Sequence, residues 1–219
     1  MKKVAVVTGT SKGLGKEIAL MLLKQNWTVY GISRTESDID SEDYIHLISN
    51  ITNCKDLELI PKVDLLVNNA AVFEMLPFEE TTHDSIDRII DVNVKGTIHI
   101  TKHTLNNMVS GSKIIFINSV AGLEELENQS LYCASKYALT GFAGVLGKEL
   151  QKRKIKVVSI HPGGINTTLW NEDNPYPCGE SSDALSTKDV TSLIDFICHS
   201  SPNVEYKTIK LFPDVEWHN

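Results

Sequence analysis

Short apolar runs rich in valine and isoleucine alternate along this chain with longer stretches in which apolar residues return every three or four positions. The first pattern predicts strands buried on both faces, and the second predicts helices with one apolar stripe. Strands are expected at Val4 to Thr8, Thr28 to Ser33, Tyr44 to Ile48, Val63 to Asn68, Lys113 to Asn118, Lys156 to Ile160 and Lys207 to Leu211. Helices are expected at Leu14 to Gln25, Phe78 to Met108, Gln129 to Arg153 and Thr187 to Ser200. Such alternation implies an α/β fold, a doubly wound parallel sheet of about seven strands with helices on both faces. Only about ten residues separate the second and third strands, fewer than a crossover helix requires, so that helix is expected to be short or missing.

Residues Trp170 to Ser186 lack periodicity and are rich in Asn, Asp, Pro, Gly and Ser. An irregular loop is expected there, with a substrate-covering segment at about 166–186 near the carboxyl ends of the strands. No repeat, linker or low-complexity tract interrupts the 219 residues, and a single domain over 1–219 is expected.

Composition narrows the function classes. With 42% hydrophobic and 22% charged residues the chain reads as an ordinary globular protein. Its longest apolar runs, such as Lys113 to Asn118 and Val63 to Val67, are too short to span a bilayer, so no membrane partner is expected. Two lysines precede the apolar stretch at the start, but Thr8 and Gly9 end it at once, so it reads as a strand rather than a leader. The net charge of -7 repels phosphate backbones and argues against nucleic acid. Cys54, Cys133, Cys178 and Cys198 show no CxxC spacing, which points to reduced thiols and a cytoplasmic setting. His99, His103 and His161 lack ligand spacing and read as packing or surface residues, so no metal is expected.

The first strand runs directly into Thr8-Gly9-Thr10-Ser11-Lys12-Gly13-Leu14-Gly15 and then into a helical pattern. Glycines let a chain turn sharply and approach a phosphate, and the unpaired amides of a helix start attract negative charge. A dinucleotide pyrophosphate is the natural ligand, which makes the sheet Rossmann-type. The spacing differs from GxGxxG, because three residues separate the first two glycines.

This TGxxxGxG loop resembles that of the short-chain dehydrogenase/reductases, and further segments resemble the family in the right order. They are Asn68-Asn69-Ala70-Ala71, where the family usually has glycine at the place of Ala71; Asn93-Val94-Lys95-Gly96; Ser119 after the fifth strand; Tyr132 and Lys136 as YxxxK; and Pro162-Gly163 followed by Thr167. The resemblance covers about residues 1 to 170. It implies an NAD(P)-dependent oxidoreductase that moves a hydride between a nicotinamide and a small carbonyl or alcohol, assembled as a homodimer or homotetramer through the long helices. Gly9, Thr10, Ser11, Lys12, Gly13, Leu14, Gly15, Asn69, Ala70, Pro162 and Gly163 are expected at the cofactor. Ile165 through its backbone and Thr167 through its side chain are expected to face the nicotinamide carboxamide, and Asn50 and Ile51 the adenine, where the family often has Asp-Val.

The second strand ends in Ser33-Arg34 with no acid until Glu36. An arginine there suits a 2'-phosphate, whereas a carboxylate would select the free ribose hydroxyls. With Lys12 as a second cation, NADP(H) is expected in preference to NAD(H), which stays open. A carbonyl receiving a hydride needs a proton donor. Tyr132 and Lys136 lie four apart on one helix face, where the ammonium is expected to lower the phenol toward neutrality. Ser119 is expected to orient the substrate oxygen, Lys136 also to bind the ribose hydroxyls, and Asn93, by resemblance, to hold a water that links the lysine to solvent. Cys133 points about 100° away from the tyrosine around the helix and reads as packing. Two rival readings are a redox sensor that binds the cofactor without turnover and a sugar-nucleotide epimerase or dehydratase. The intact set of four residues opposes the first, and the short stretch after Pro162 opposes the second.

Overall fold

A computed structural model describes residues 2–53, 60, 62–170 and 180–216. Its elements are β1 (Val4–Thr8), α1 (Gly13–Lys24), β2 (Thr28–Ser33), β3 (Tyr44–Ile48), β4 (Val63–Asn68), α2 (His83–Ile89), α3 (Thr97–Leu105), β5 (Met108–Ile117), α4 (Ser130–Leu150), β6 (Lys156–Pro162), α5 (Thr187–His199) and β7 (Thr208–Leu211). All seven strands pair in parallel, in the order β3-β2-β1-β4-β5-β6-β7. The order reverses between β1 and β4, and a crevice opens there beyond the strand ends. No helix joins β2 to β3.

Alternation along the strands divides the core between the two faces. Ala5 and Val7 of β1 pack with Ile18 and Leu22 of α1 and with Val190, Ile194 and Ile197 of α5. Val6 faces the other way, onto a cluster with Ile100 of α3, Phe116 of β5, and Ala143 and Leu146 of α4. Each large side chain fully removed from water contributes about 1.5–3 kcal/mol.

Two elements depart from the expected pattern. The stretch from Phe78 to Met108 is not one helix. A 3-10 turn at Phe78–Glu80 precedes α2, which Thr82 caps by accepting from the Ser85 amide at 3.1 Å, and a π-helical stretch at Ile90–Gly96 separates α2 from α3. A Cβ on Gly96 would come within 2.6 Å of Ile51, so this wide turn packs tightly against the segment after β3. Met108 already belongs to β5, which therefore starts earlier than expected. Val63 pairs with Met108 but Leu65 with Lys113, and the extra residues loop out around Gly111 at φ +92. Arg153 holds this bulge by donating to the carbonyls of Leu105 and Met108 at 2.9 and 3.0 Å.

Two connections frame the crevice. The Leu76 amide donates to the Asn128 carbonyl at 2.8 Å, tying the segment after β4 to the one before α4. Lys210 of β7 pairs with Glu124 at 3.0 Å. Of the segment expected to cover the substrate, residues 171–179 lie outside the described residues, and so does Cys54; Cys133 and Cys198 are buried free thiols.

Phe116 is fully buried whereas Val145 on α4 is 55% exposed. Phe116→Ala is expected to lower the unfolding free energy by about 3–5 kcal/mol. Val145→Ala should change it by no more than about 0.5 kcal/mol. Urea titrations with unchanged slopes check both.

Candidate active site

The glycine loop after β1 forms one end of a cleft of about 1360 Å³. Neighbouring strands fix its shape. The Gly9 amide donates to the Ile32 carbonyl at 2.7 Å, and the Thr8 hydroxyl accepts from the amides of Asn69 and Ala70, both at 2.9 Å. Asn69 returns a bond from Nδ2 to the Thr8 carbonyl at 2.9 Å, so the Asn-Asn-Ala segment is a brace for the loop as well as a wall of the cleft. A Cβ on Gly15 would collide with the Gly9 carbonyl and come within 2.5 Å of Asn69 Nδ2, so α1 can sit this close only with glycine there.

Helix capping separates α1 from α2 and α5. Thr82 caps α2, and Ser186 with Asp189 forms a reciprocal box on α5, whereas Lys12 supplies no side-chain cap to α1. The first-turn amides of α1 border the cleft beside Ser11, Gly13 and Leu14, a seat that fits a pyrophosphate. Arg34 and Lys12 line the same end and form no ion pair among the described residues. Asn50 and Ile51 also line it, with Asn50 Oδ1 accepting from the Thr52 amide at 3.1 Å. Thr10 departs from expectation. It is fully buried away from the cleft, its hydroxyl accepts from Tyr44 at 2.8 Å, and its carbonyl accepts from Ser37.

At the other end, Ser119, Tyr132 and Lys136 share one wall. The Lys136 ammonium is buried, donates to the Ile117 carbonyl at 3.2 Å, and lies 5.4 Å from the Tyr132 ring centroid. Desolvation lowers the lysine to about 8. Burial also pushes the Tyr132 phenol up, to about 12, and a hydrogen bond with the Ser119 side chain opposes this less strongly. The lowering expected from the ammonium is not found: loss of water around the phenol sets the direction, and the opposing contribution is that of Ser119. At neutral pH the phenol keeps its proton.

Asn93 does not reach the cleft. Its Oδ1 accepts from the Val72 amide at 2.8 Å, and its Nδ2 donates to the Val72 carbonyl at 2.9 Å and to Ser135 at 3.1 Å. With both ends of the amide committed, the side chain clamps the segment after β4 to α4. Pro162, Gly163, Ile165 and Thr167 line the cleft, and the Ile165 carbonyl already accepts from the Trp170 indole at 2.8 Å. Phe73 also belongs to the site though no motif marks it: its ring meets Tyr132 edge-on at 4.8 Å and Trp170 at 5.4 Å. Its place four residues after the Asn69 brace was the one available signal. Among the described residues no group of three or more His, Cys, Asp or Glu could hold a metal, and no helix is long and apolar enough to cross a membrane.

The chain is similar to known proteins in sequence and in fold. A family described as short chain dehydrogenase matches residues 3–44 and 55–176. L-xylulose reductase from Mesocricetus auratus is 32% identical over 75% of this chain and 72% of its own. The structure of 3-ketoacyl-(acyl-carrier-protein) reductase from Brucella melitensis complexed with NADH superimposes with a TM-score of 0.86 at 21% identity, over 97% of this chain and 98% of the other. A short chain dehydrogenase from Burkholderia cenocepacia in complex with NADP gives 0.83 at 23% identity, over 98% of both chains. The two structures establish likeness of fold alone. Together with the family match and the 32% identical relative, they show that the chain belongs to the short-chain dehydrogenase/reductase family of oxidoreductases.

Proposed function

We propose that this oxidoreductase uses NADP(H) and acts on a small carbonyl or the corresponding alcohol, with Tyr132 as the proton donor. The observation that carries the reading is the common wall of Ser119, Tyr132 and Lys136, in a cleft whose far end holds Arg34, Lys12 and the uncapped start of α1. When bound, the nicotinamide supplies the hydride in reduction and accepts it in oxidation. Tyr132 holds its proton at neutral pH and gives it to the carbonyl oxygen as charge develops there. Ser119 hydrogen-bonds the same oxygen and orients it, and Lys136 faces the ribose and favours the phenolate left behind. Asn93 acts as a positioning residue through the Val72 segment.

The cofactor assignment rests on charge at the end of β2. Ser33 there donates to the Thr35 carbonyl at 2.8 Å and lies 2.7 Å from His46, while the neighbouring side chain, Arg34, is an exposed cation. A 2'-phosphate would be met by Arg34 and Lys12, and no carboxylate occupies their place. The relatives' names include a keto-sugar reductase and a ketoacyl reductase. The rings of Phe73, Tyr132 and Trp170 supply one apolar wall for a compact substrate. The buried thiols of Cys133 and Cys198 suit a reducing cytoplasm, and exposed Tyr137 and Val145 on α4 suit a dimer or tetramer.

Tyr132→Phe is expected to cut turnover by about 10²–10⁴-fold. NADPH affinity, read by fluorescence titration, should hold within about twofold, since only one hydroxyl is lost. Near-normal turnover by this variant would sink the proton-donor role. Arg34→Asp should move the NADPH/NADH ratio of kcat/KM toward NADH by about 10–100-fold, the worth of a charge-assisted bond to phosphate. An unchanged ratio overturns the phosphate assignment.

Burial also makes Lys136 costly to the fold. Its displacement from 10.5 to about 8 corresponds to about 3 kcal/mol against the charged form. The unfolded chain binds the proton more tightly, so this penalty is full below about pH 8 and vanishes as pH approaches 10.5. Lys136→Met is expected to be more stable than the parent at pH 7 by about 1–3 kcal/mol while losing turnover, with the stability gap closing above pH 8. Denaturation at pH 7 and pH 10 tests this.

A further inference from the structure

Behind the reacting wall, His161 at the end of β6 is fully buried and outside the cleft. Its Nδ1 lies 2.9 Å from the Ser119 carbonyl oxygen, and its Nε2 lies 2.9 Å from the Ser159 hydroxyl. A carbonyl only accepts, so Nδ1 carries the proton. Nε2 of the neutral ring must then accept, and Ser159 donates to it. Asn118 Nδ2 reaches Ser159 at 3.4 Å and Thr140 at 2.9 Å, and Thr140 lies 3.0 Å from the carbonyls of Gly122 and Lys136. The donors thus diverge from the Asn118 amide: one branch ends through Thr140 on the carbonyls of Gly122 and Lys136, and the other is a directional chain through Ser159 and His161 to the peptide of Ser119. The backbone of Ser119 is held by this chain on one side, while its hydroxyl meets Tyr132 on the other.

We propose that His161 is a positioning residue for the reaction: its neutral Nδ1–H tautomer, set by Ser159, holds the Ser119 carbonyl so that the Ser119 hydroxyl stays aimed at the substrate oxygen. The inference rests on the role given to Ser119 above. It predicts a proton-dependent effect, because a charged imidazole donates from both nitrogens and the buried Ser159 proton then loses its acceptor. The charged groups facing the ring are Lys136 from α4 and Lys210 from β7. Both oppose protonation, and Glu124 is engaged with Lys210. Burial acts in the same direction and more strongly, outweighing the bond to the Ser119 carbonyl, which favours the charged ring, so the ring titrates below the ordinary histidine value of 6.5 and is neutral at pH 7.

Steady-state kinetics on the full chain tests this with NADPH and any carbonyl that the wild type turns over. His161→Ala is expected to lower kcat by about 10–100-fold with the KM for NADPH within about twofold, and His161→Asn, which keeps a donor toward Ser119, to recover most of the loss. The wild-type kcat should fall on the acid side, below the ordinary histidine value. That limb should be absent in His161→Asn and displaced to higher pH in Ser159→Ala, where Nε2 has lost its donor. In a Ser119→Ala background, His161→Ala should add less than about a twofold further loss, because residues acting through one another are non-additive. Equal losses in both backgrounds, or an acid limb that neither variant moves, overturns the proposal while leaving the Ser119 role intact. Unchanged turnover in Ser119→Ala alone overturns the role of Ser119 and the inference with it. If His161→Ala does not fold, the pH profiles of His161→Asn and Ser159→Ala decide.

Discussion

The Lys136 ammonium is taken out of water in the second turn of α4, with one backbone carbonyl at 3.2 Å and a phenol ring beside it, and the geometry of the site follows from keeping it there. A charge so placed is tolerated only if the surrounding elements are held rigidly enough to exclude water. The clamp of Asn93 on Val72, the bond between Leu76 and Asn128, and the pair formed by Lys210 and Glu124 draw three separate segments around it. The same exclusion of water raises the phenol and lowers the amine, so both groups carry protons at neutral pH. The fold spends stability at this point, as sites built for chemistry often do.

Most of the sheet was legible because its inner strands are largely buried on both faces and carry apolar runs. β1 to β4 begin and end where periodicity placed them. The stretch from Phe78 to Met108 was not legible, because the apolar spacing continues through the π-helical turns. What interrupts the helix is the inward pull of Asn93 and the close approach of Gly96 to Ile51, and neither contact is local in sequence. The early start of β5 was hidden for a related reason. Ser110, Gly111 and Ser112 lie between the expected helix and the expected strand, and only the distant Arg153 shows that they form a bulge within the strand.

The candidate site divides in the same way. Motif residues that meet the cleft through backbone or small side chains, such as Gly9, Gly13 and Gly163, stand where spacing put them. Thr10 shares the motif but is turned inward by Tyr44, a residue of the edge strand that no local rule connects to it. The sign of the Tyr132 displacement was missed because helix spacing reports which groups are close, while burial, a property of the whole fold, decides which protonation state is favoured. His161 was set aside for want of ligand spacing, although its partners are a hydroxyl and a carbonyl.

The bare start of α1 has a consequence for the protein as a whole. A serine or aspartate at position 12 would satisfy the helix from within, and the helix would be indifferent to what lies in front of it. With Lys12 there instead, the unmatched amides reward any anion that settles on them, and the settled anion in turn secures the helix and the strand pair it covers. Occupancy and folding are thereby made two readings of one equilibrium, so the chain's resistance to heat or proteases also reports how much dinucleotide surrounds it.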